Sequence, residues 1–224
     1  MEFQQALALH RQGRTEEAAR AYERILQAEP AHLDALIHLG SLRLGEGRAV
    51  PAEALLRRAV AVSPASPEAL GNLAAALQAL GRHEEAAAHY ERALSHKPGM
   101  ADARFGLAAC LQALGRHAAA IACYETILAA DPGYAEAHYG LATLLAQLGR
   151  SDEAAAQYRA ALAIDPDFAE ASYGLGMVLA RGAKPEDAIG AFLQALDVDP
   201  DYSEARLALG TTLLRLQRDD EAMT

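Results

Sequence analysis

Residues 135–168 carry a pattern of apolar and polar positions that organises the whole chain. His138, Leu141, Ala142 and Leu145 stand at the fourth, seventh, eighth and eleventh places of this stretch, a spacing that puts four side chains on one face of a helix. Gly149 follows, suited to the left-handed position that commonly ends a helix. A second segment then places Ala154, Tyr158 and Ala161 at intervals of four and three. Ser151 offers a hydroxyl to cap it, and Asp152 and Glu153 suit its positive N-terminal end. Pro166 stands where the hydrogen-bond ladder cannot continue. Neither segment alternates as a strand would. The pattern predicts two antiparallel helices joined by a tight turn.

The same pattern recurs along the chain. Prolines fall at 30, 64, 98, 132, 166 and 200, and Gly-Arg pairs at 13–14, 47–48, 81–82, 115–116 and 149–150. A fixed period of this size marks an array of stacked units. On Leu141-Ala142, Ala154-x3-Tyr158, Ala161 and Pro166, recurring in register, the chain resembles the tetratricopeptide repeat family, in a bacterial-type array. The resemblance implies an all-α fold, a right-handed α-solenoid superhelix of 34-residue helix-turn-helix repeats with the first helices lining its concave side. A single array is expected over 1–224, with repeats at about 1–32, 33–66, 67–100, 101–134, 135–168 and 169–202 and a partial one at 203–224. Two repeats depart from the pattern. The second has Leu56 in place of an aromatic, and Gly45-Glu46-Gly47 is expected to loosen its turn; in the sixth, Arg181-Gly182-Ala183-Lys184-Pro185 shifts the glycine by one. Pro51 and Pro185 fall near the starts of second helices, where proline is tolerated. In the partial repeat, Leu207, Leu209, Leu213 and Leu214 need a covering helix that is cut off after Ala222-Met223. The readings are a fragment of a longer chain or an end that packs on another copy.

Composition narrows the function. The chain is 52% hydrophobic but only 5% aromatic, without tryptophan, so alanine and leucine dominate and favour helices. It lacks a membrane-length apolar run and a secretory signal, and a cytoplasmic setting without membrane insertion is expected. Its net charge of −10, with 20 basic residues scattered among 30 acidic ones, argues against nucleic acid, which needs clustered Lys and Arg. Cys110 and Cys123 lie outside any zinc spacing and read as packed thiols. The eight histidines include no HxxxH or HExxH pair, and no nucleophile elbow, Walker loop or GxGxxG is present. The expectation is a non-enzyme without metal or cofactor.

The first helices supply the informative anomaly. Residues 69–80 hold no charge, 103–114 only Arg104, and 171–182 only Arg181. Their second stripe, which plain solvent would make polar, carries Asn72, then Phe105 and Gly106, then Tyr139, Gly140 and Thr143, then Tyr173, Gly174 and Met177. Helices without charge on either face are buried or bind something. The glycines cost helix stability and leave room for close approach, either by a stacked repeat or by a partner; the balance here favours the partner. An acidic rim accompanies the stripe, with Asp34, Glu68, Asp102, Glu136, Glu170 and Glu204 all second in their repeats. Family arrays that clamp chaperone C-termini carry Lys, Arg and Asn on this stripe, and those resembling O-linked N-acetylglucosamine transferases carry an asparagine ladder, of which only Asn72 is present. The expected function is a scaffold that holds a peptide or helical protein segment in a concave groove. Its partner would be mostly apolar or neutral, with basic flanks. The alternatives are the recruiting arm of a larger transferase, such as a glycosyltransferase, and an array that self-associates end to end.

Overall fold

The computed structural model describes residues 2–182 and 184–222, with the side chains of 217–222 left out. Met1, Ala183, Met223 and Thr224, where the repeats place the start of the first unit, part of the sixth turn and the close of the seventh, lie outside the described residues. Among the described residues there are thirteen α-helices and no strand. The first helices of successive repeats are α1 (Glu2–Arg11), α3 (Leu33–Gly45), α5 (Pro67–Ala79), α7 (Ala101–Ala113), α9 (Ala135–Gln147), α11 (Ala169–Arg181) and α13 (Ser203–Ala222). The second helices are α2 (Thr15–Ala28), α4 (Ala49–Val62), α6 (His83–His96), α8 (His117–Ala130), α10 (Ser151–Ile164) and α12 (Pro185–Val198).

The helices group into two compact units, Met1–Arg116 and His117–Thr224. In the first, α1–α2, α3–α4 and α5–α6 pair as hairpins, each second helix packs on the following first helix, and α5 touches both α3 and α7. In the second, α9–α10 and α11–α12 are the hairpins, and α11 touches both α9 and α13. Fully buried alanines such as Ala59, Ala93, Ala154 and Ala161 let the helices approach, while Tyr22, Leu36, Leu73, Leu144 and Phe192 fill the space between them.

The Gly-Arg turn is built alike five times. Gly13, Gly47, Gly81, Gly115 and Gly149 have φ between 72° and 77°, where an L side chain is strained. The following arginine N–H reaches back five residues, as Arg150 N–H does to the Leu145 carbonyl at 2.9 Å, satisfying an orphan carbonyl of the helix end. The second turn is therefore not loosened: Gly47 has φ 73°, and Arg48 N–H bonds the Arg43 carbonyl at 2.8 Å. Glu46 is held instead by the Arg43 guanidinium at 2.9 Å. In the sixth turn Gly182 has φ −81°, matching its displacement by one residue.

Ser151 does not cap α10. It is the helix's first residue, and Arg150 stands at the cap position without a side-chain cap bond. The arginine instead grips Glu153 through Nε and a terminal nitrogen at 2.7 and 2.6 Å. Arg14 with Glu17 and Arg82 with Glu85 repeat this pair. Such exposed pairs are screened by water and salt and add little to stability. Further ties run from second helices to the preceding proline carbonyls: Arg58 to Pro30 at 2.8 Å, Arg92 to Pro64 at 3.2 Å and Gln194 to Pro166 at 3.2 Å.

Candidate functional site

The glycine row faces protein. Tyr90 on α6, Tyr124 on α8 and Tyr158 on α10 are buried, and each ring lies against the first helix of the next repeat. A Cβ added at Gly140 would stand 2.7 Å from the Tyr124 ring, and one at Gly174 would stand 2.5 Å from the Tyr158 ring. At Gly106 it would overlap the Tyr90 ring and hydroxyl. These distances are shorter than van der Waals contact, and buried rings have little freedom to withdraw. The reading of Gly106 and Gly140 as a surface awaiting a partner is thus corrected: all three glycines seat the preceding repeat's tyrosine, and only Gly174 stays half-buried at a cleft. Burial pushes the Tyr124 hydroxyl up to about 12 and raises that of Tyr90. It also raises Tyr158, less so because Thr143 is hydrogen-bonded to it at 3.2 Å.

The aromatic beside each glycine behaves differently. In the second unit Tyr139 and Tyr173 are half-buried and line a cleft between α9 and α11 of about 260 Å³, together with Thr143, Gly174 and Met177. Tyr173 and Met177 also line an adjoining cleft of about 410 Å³ between α11 and α13, which Leu207 and Thr211 close from the far side. Five residues singled out from the sequence, Tyr139, Thr143, Tyr173, Gly174 and Met177, therefore meet in one place. Asn72 lies half-buried on α5, and Phe105 and Gly106 lie on α7, in the first unit.

Each cleft tyrosine is braced by two rings. Tyr139 meets Tyr158 at 6.0 Å and Phe168 at 4.9 Å between centroids. Tyr173 meets Phe192 at 6.0 Å and Tyr202 at 5.1 Å. Tilted pairs at these distances suit aromatic quadrupoles. Phe168 and Tyr202 close their repeats and were not singled out, although an aromatic recurs there in register at Tyr134, Phe168 and Tyr202. The Tyr202 hydroxyl is pushed up to about 12, first by burial, then by Tyr139, Glu170, Tyr173 and Glu204.

All six rim carboxylates are exposed in first turns of first helices. Glu68 is bonded to Lys97 at 3.1 Å. Leu207, Leu213 and Leu214 on α13 are 74%, 43% and 63% exposed, and Leu209 is half-buried.

The first unit also holds an aromatic and histidine cluster that no sequence motif marks. Phe3, His10, Tyr22, His32 and His38 pack together, with Tyr22 stacked on His38 at 5.7 Å and 10° and Phe3 stacked on His32 at 5.2 Å. His32 Nδ1 accepts the Ala35 N–H and caps α3. Among the described residues no group of three His, Cys, Asp or Glu side chains is placed to hold a metal ion. His138 has a packing role: its ring nitrogens lie 2.6 Å from Gln157 Oε1 and 3.2 Å from the Pro132 carbonyl.

Two family models, both described as tetratricopeptide repeat, match the chain. One matches residues 9–77, 43–88 and 77–132, and the other 111–169, 139–189 and 173–224. No curated protein matches it. Among solved structures, PilW, a type IV pilus biogenesis factor, is similar with a TM-score of 0.84 and 20% identity, covering 93% of this chain and 96% of its own. Pseudomonas aeruginosa pilF is similar with a TM-score of 0.77 and 20% identity, covering 92% and 93%. YrrB, a repeat protein with an unusual peptide-binding site, has a TM-score of 0.65 and 23% identity, covering 85% and 98%. At these identities the likeness is one of fold.

Proposed function

The chain belongs to the tetratricopeptide repeat family, and from that premise we propose that it is a scaffold holding a peptide or helical protein segment in the clefts along α9, α11 and α13. The observation that carries this reading is the pair of half-buried tyrosines, Tyr139 and Tyr173, lining adjoining apolar clefts of about 260 and 410 Å³. Rings braced on two sides, with a third side open, offer rigid apolar surface at little entropic cost. The fold relative YrrB has a peptide-binding site of its own, which supports the class of ligand. No helix among the described residues is long and apolar enough to cross a membrane. Free thiols at Cys110 and Cys123 fit a reducing, cytoplasmic setting.

Panning a displayed peptide library against the chain tests the site. Enriched segments should carry large apolar residues and lose about tenfold or more of their affinity on Tyr173→Ala, the equivalent of about 1.5–3 kcal/mol of lost anchor burial. Helicity by circular dichroism should stay the same. Segments that bind Tyr173→Ala and Tyr139→Ala as well as the parent would overturn the proposal. The exposed leucines of α13 favour a second reading, association between copies. A monomer across a wide concentration range in light scattering would remove it. Nothing in the clefts favours the recruiting arm of a transferase.

A further inference from the structure

The clefts of the second unit have two edges of opposite charge. Glu170 lies in the first turn of α11 and Arg181 ends it, while on α13 Glu204 and Arg215 hold the same two register positions, Arg215 within the helix. In both helices the two charges are eleven residues apart. Eleven residues make about 20° more than three whole turns, so each pair shares a face and is separated by roughly 16 Å along the axis. Glu170 and Arg181 line the smaller cleft, and Arg181, Glu204 and Arg215 line the larger. All four are exposed, and none forms an ion pair with a described residue. The helix macrodipole accounts for acids at N-terminal and bases at C-terminal ends. It says nothing about azimuth, and it is the azimuth that brings both signs to the same clefts.

Between the two edges lie Tyr173, Met177, Ala180, Leu207 and Thr211, with no charge among them. We propose, resting on the cleft reading above, that the occupant is a bipolar protein segment. It has apolar anchors over Tyr173 and Met177, a Lys or Arg towards Glu170 and Glu204, and an Asp or Glu towards Arg181 and Arg215. An extended backbone covers that distance in about five residues. The arginine edge revises the expectation of basic flanks on both sides: one flank is basic and the other acidic. Charges so placed orient the segment and disfavour partners of a single sign.

Four blocked heptapeptides test this by fluorescence anisotropy at low ionic strength. Each has leucine at its third and fifth positions and alanine between. One carries lysine at one end and glutamate at the other; the rest carry lysine, glutamate or alanine at both ends. The bipolar peptide should bind about three- to tenfold tighter than the other three, the margin shrinking as salt is raised. The comparison is stringent, since a chain of net charge −10 would by long-range attraction alone prefer two lysines. In Arg181→Glu with Arg215→Glu, the two-lysine peptide should become the tightest. Equal binding of all four peptides, each weakened by Tyr173→Ala, would overturn the bipolar axis and leave the cleft reading standing. Failure of every peptide to bind, or indifference to Tyr173→Ala, would overturn both.

Discussion

Tyr22 and Tyr158 hold the same place in their repeats, yet meet opposite surroundings. Tyr22 lies flat on the His38 ring at 5.7 Å. Tyr158 presses into the space left by Gly174, where a Cβ would stand only 2.5 Å away. What is kept constant is the filled volume between a second helix and the next first helix, and stacked rings or a ring over a glycine both achieve it. The choice has consequences one residue away. Between the first two repeats the seat belongs to a closed cluster, with Phe3 engaged by His32, His38 and Tyr22. In the second unit the tyrosine sinks into the helix, and its neighbours Tyr139 and Tyr173 are left lining clefts.

The largest effect should come from filling the glycine seat. Gly174→Asn brings the second unit to the residue Asn72 provides at the same register, and overpacking against Tyr158 should cost about 1–3 kcal/mol. Urea denaturation would measure it. Adding Tyr158→Leu, the pairing that Leu56 and Asn72 suggest, should recover part of the loss, so that the double mutant is more stable than the sum of the singles. Strict additivity would show that the seat does not couple these two residues.

Acid should act on the Tyr22–His38 version of the seat. Burial is the main reason His38 is held below the ordinary histidine range; His10 and Arg11 lower it further and Asp34 opposes them. An unfolded chain takes up that proton near pH 6.5, so below about that pH it binds more protons than the native state. The stability from keeping His38 neutral is therefore complete above about pH 6.5 and is lost as pH falls towards the depressed native value. His38→Asn should flatten the fall in denaturation midpoint between about pH 8 and about pH 5. Some slope should persist, because burial also lowers His89. An unchanged slope would place the acid sensitivity elsewhere.

The smallest effect is expected at Ser172. Its hydroxyl is fully buried on α11 without a hydrogen-bond partner in the protein, so it contributes desolvation cost without a compensating bond. Ser172→Ala should leave the second unit as stable as before or stabilise it by up to about 1 kcal/mol. A clear destabilisation by thermal denaturation would show that the hydroxyl is satisfied in solution.

Much of this was legible in advance, and for local reasons. A glycine that must take positive φ, a proline that cannot extend a helix and apolar spacings of three and four act within a few residues, so Gly149, Pro166 and Leu141 announce a hairpin by themselves. Ser151 misled because its hydroxyl is a good cap in general, while here the helix begins on it and Arg150 turns to Glu153. The cleft was half legible. Tyr139, Thr143, Tyr173 and Met177 stood out as uncharged residues on a face that solvent would charge. Phe168 and Tyr202 did not, because they lie in connecting segments with no face of their own. Arg181 was visible as the lone charge of residues 171–182, but its sharing a cleft with Glu204 was not.

The sequence by itself determined the helix hairpins, their 34-residue register and the unusual neutrality of the first helices, since each depends on neighbours along the chain. Only the tertiary structure decided what Gly106, Gly140 and Gly174 are for. A missing side chain leaves a space, and what fills a space is set by packing between elements; here that is a ring from the preceding helix. The same packing left Tyr139 and Tyr173 with an open side.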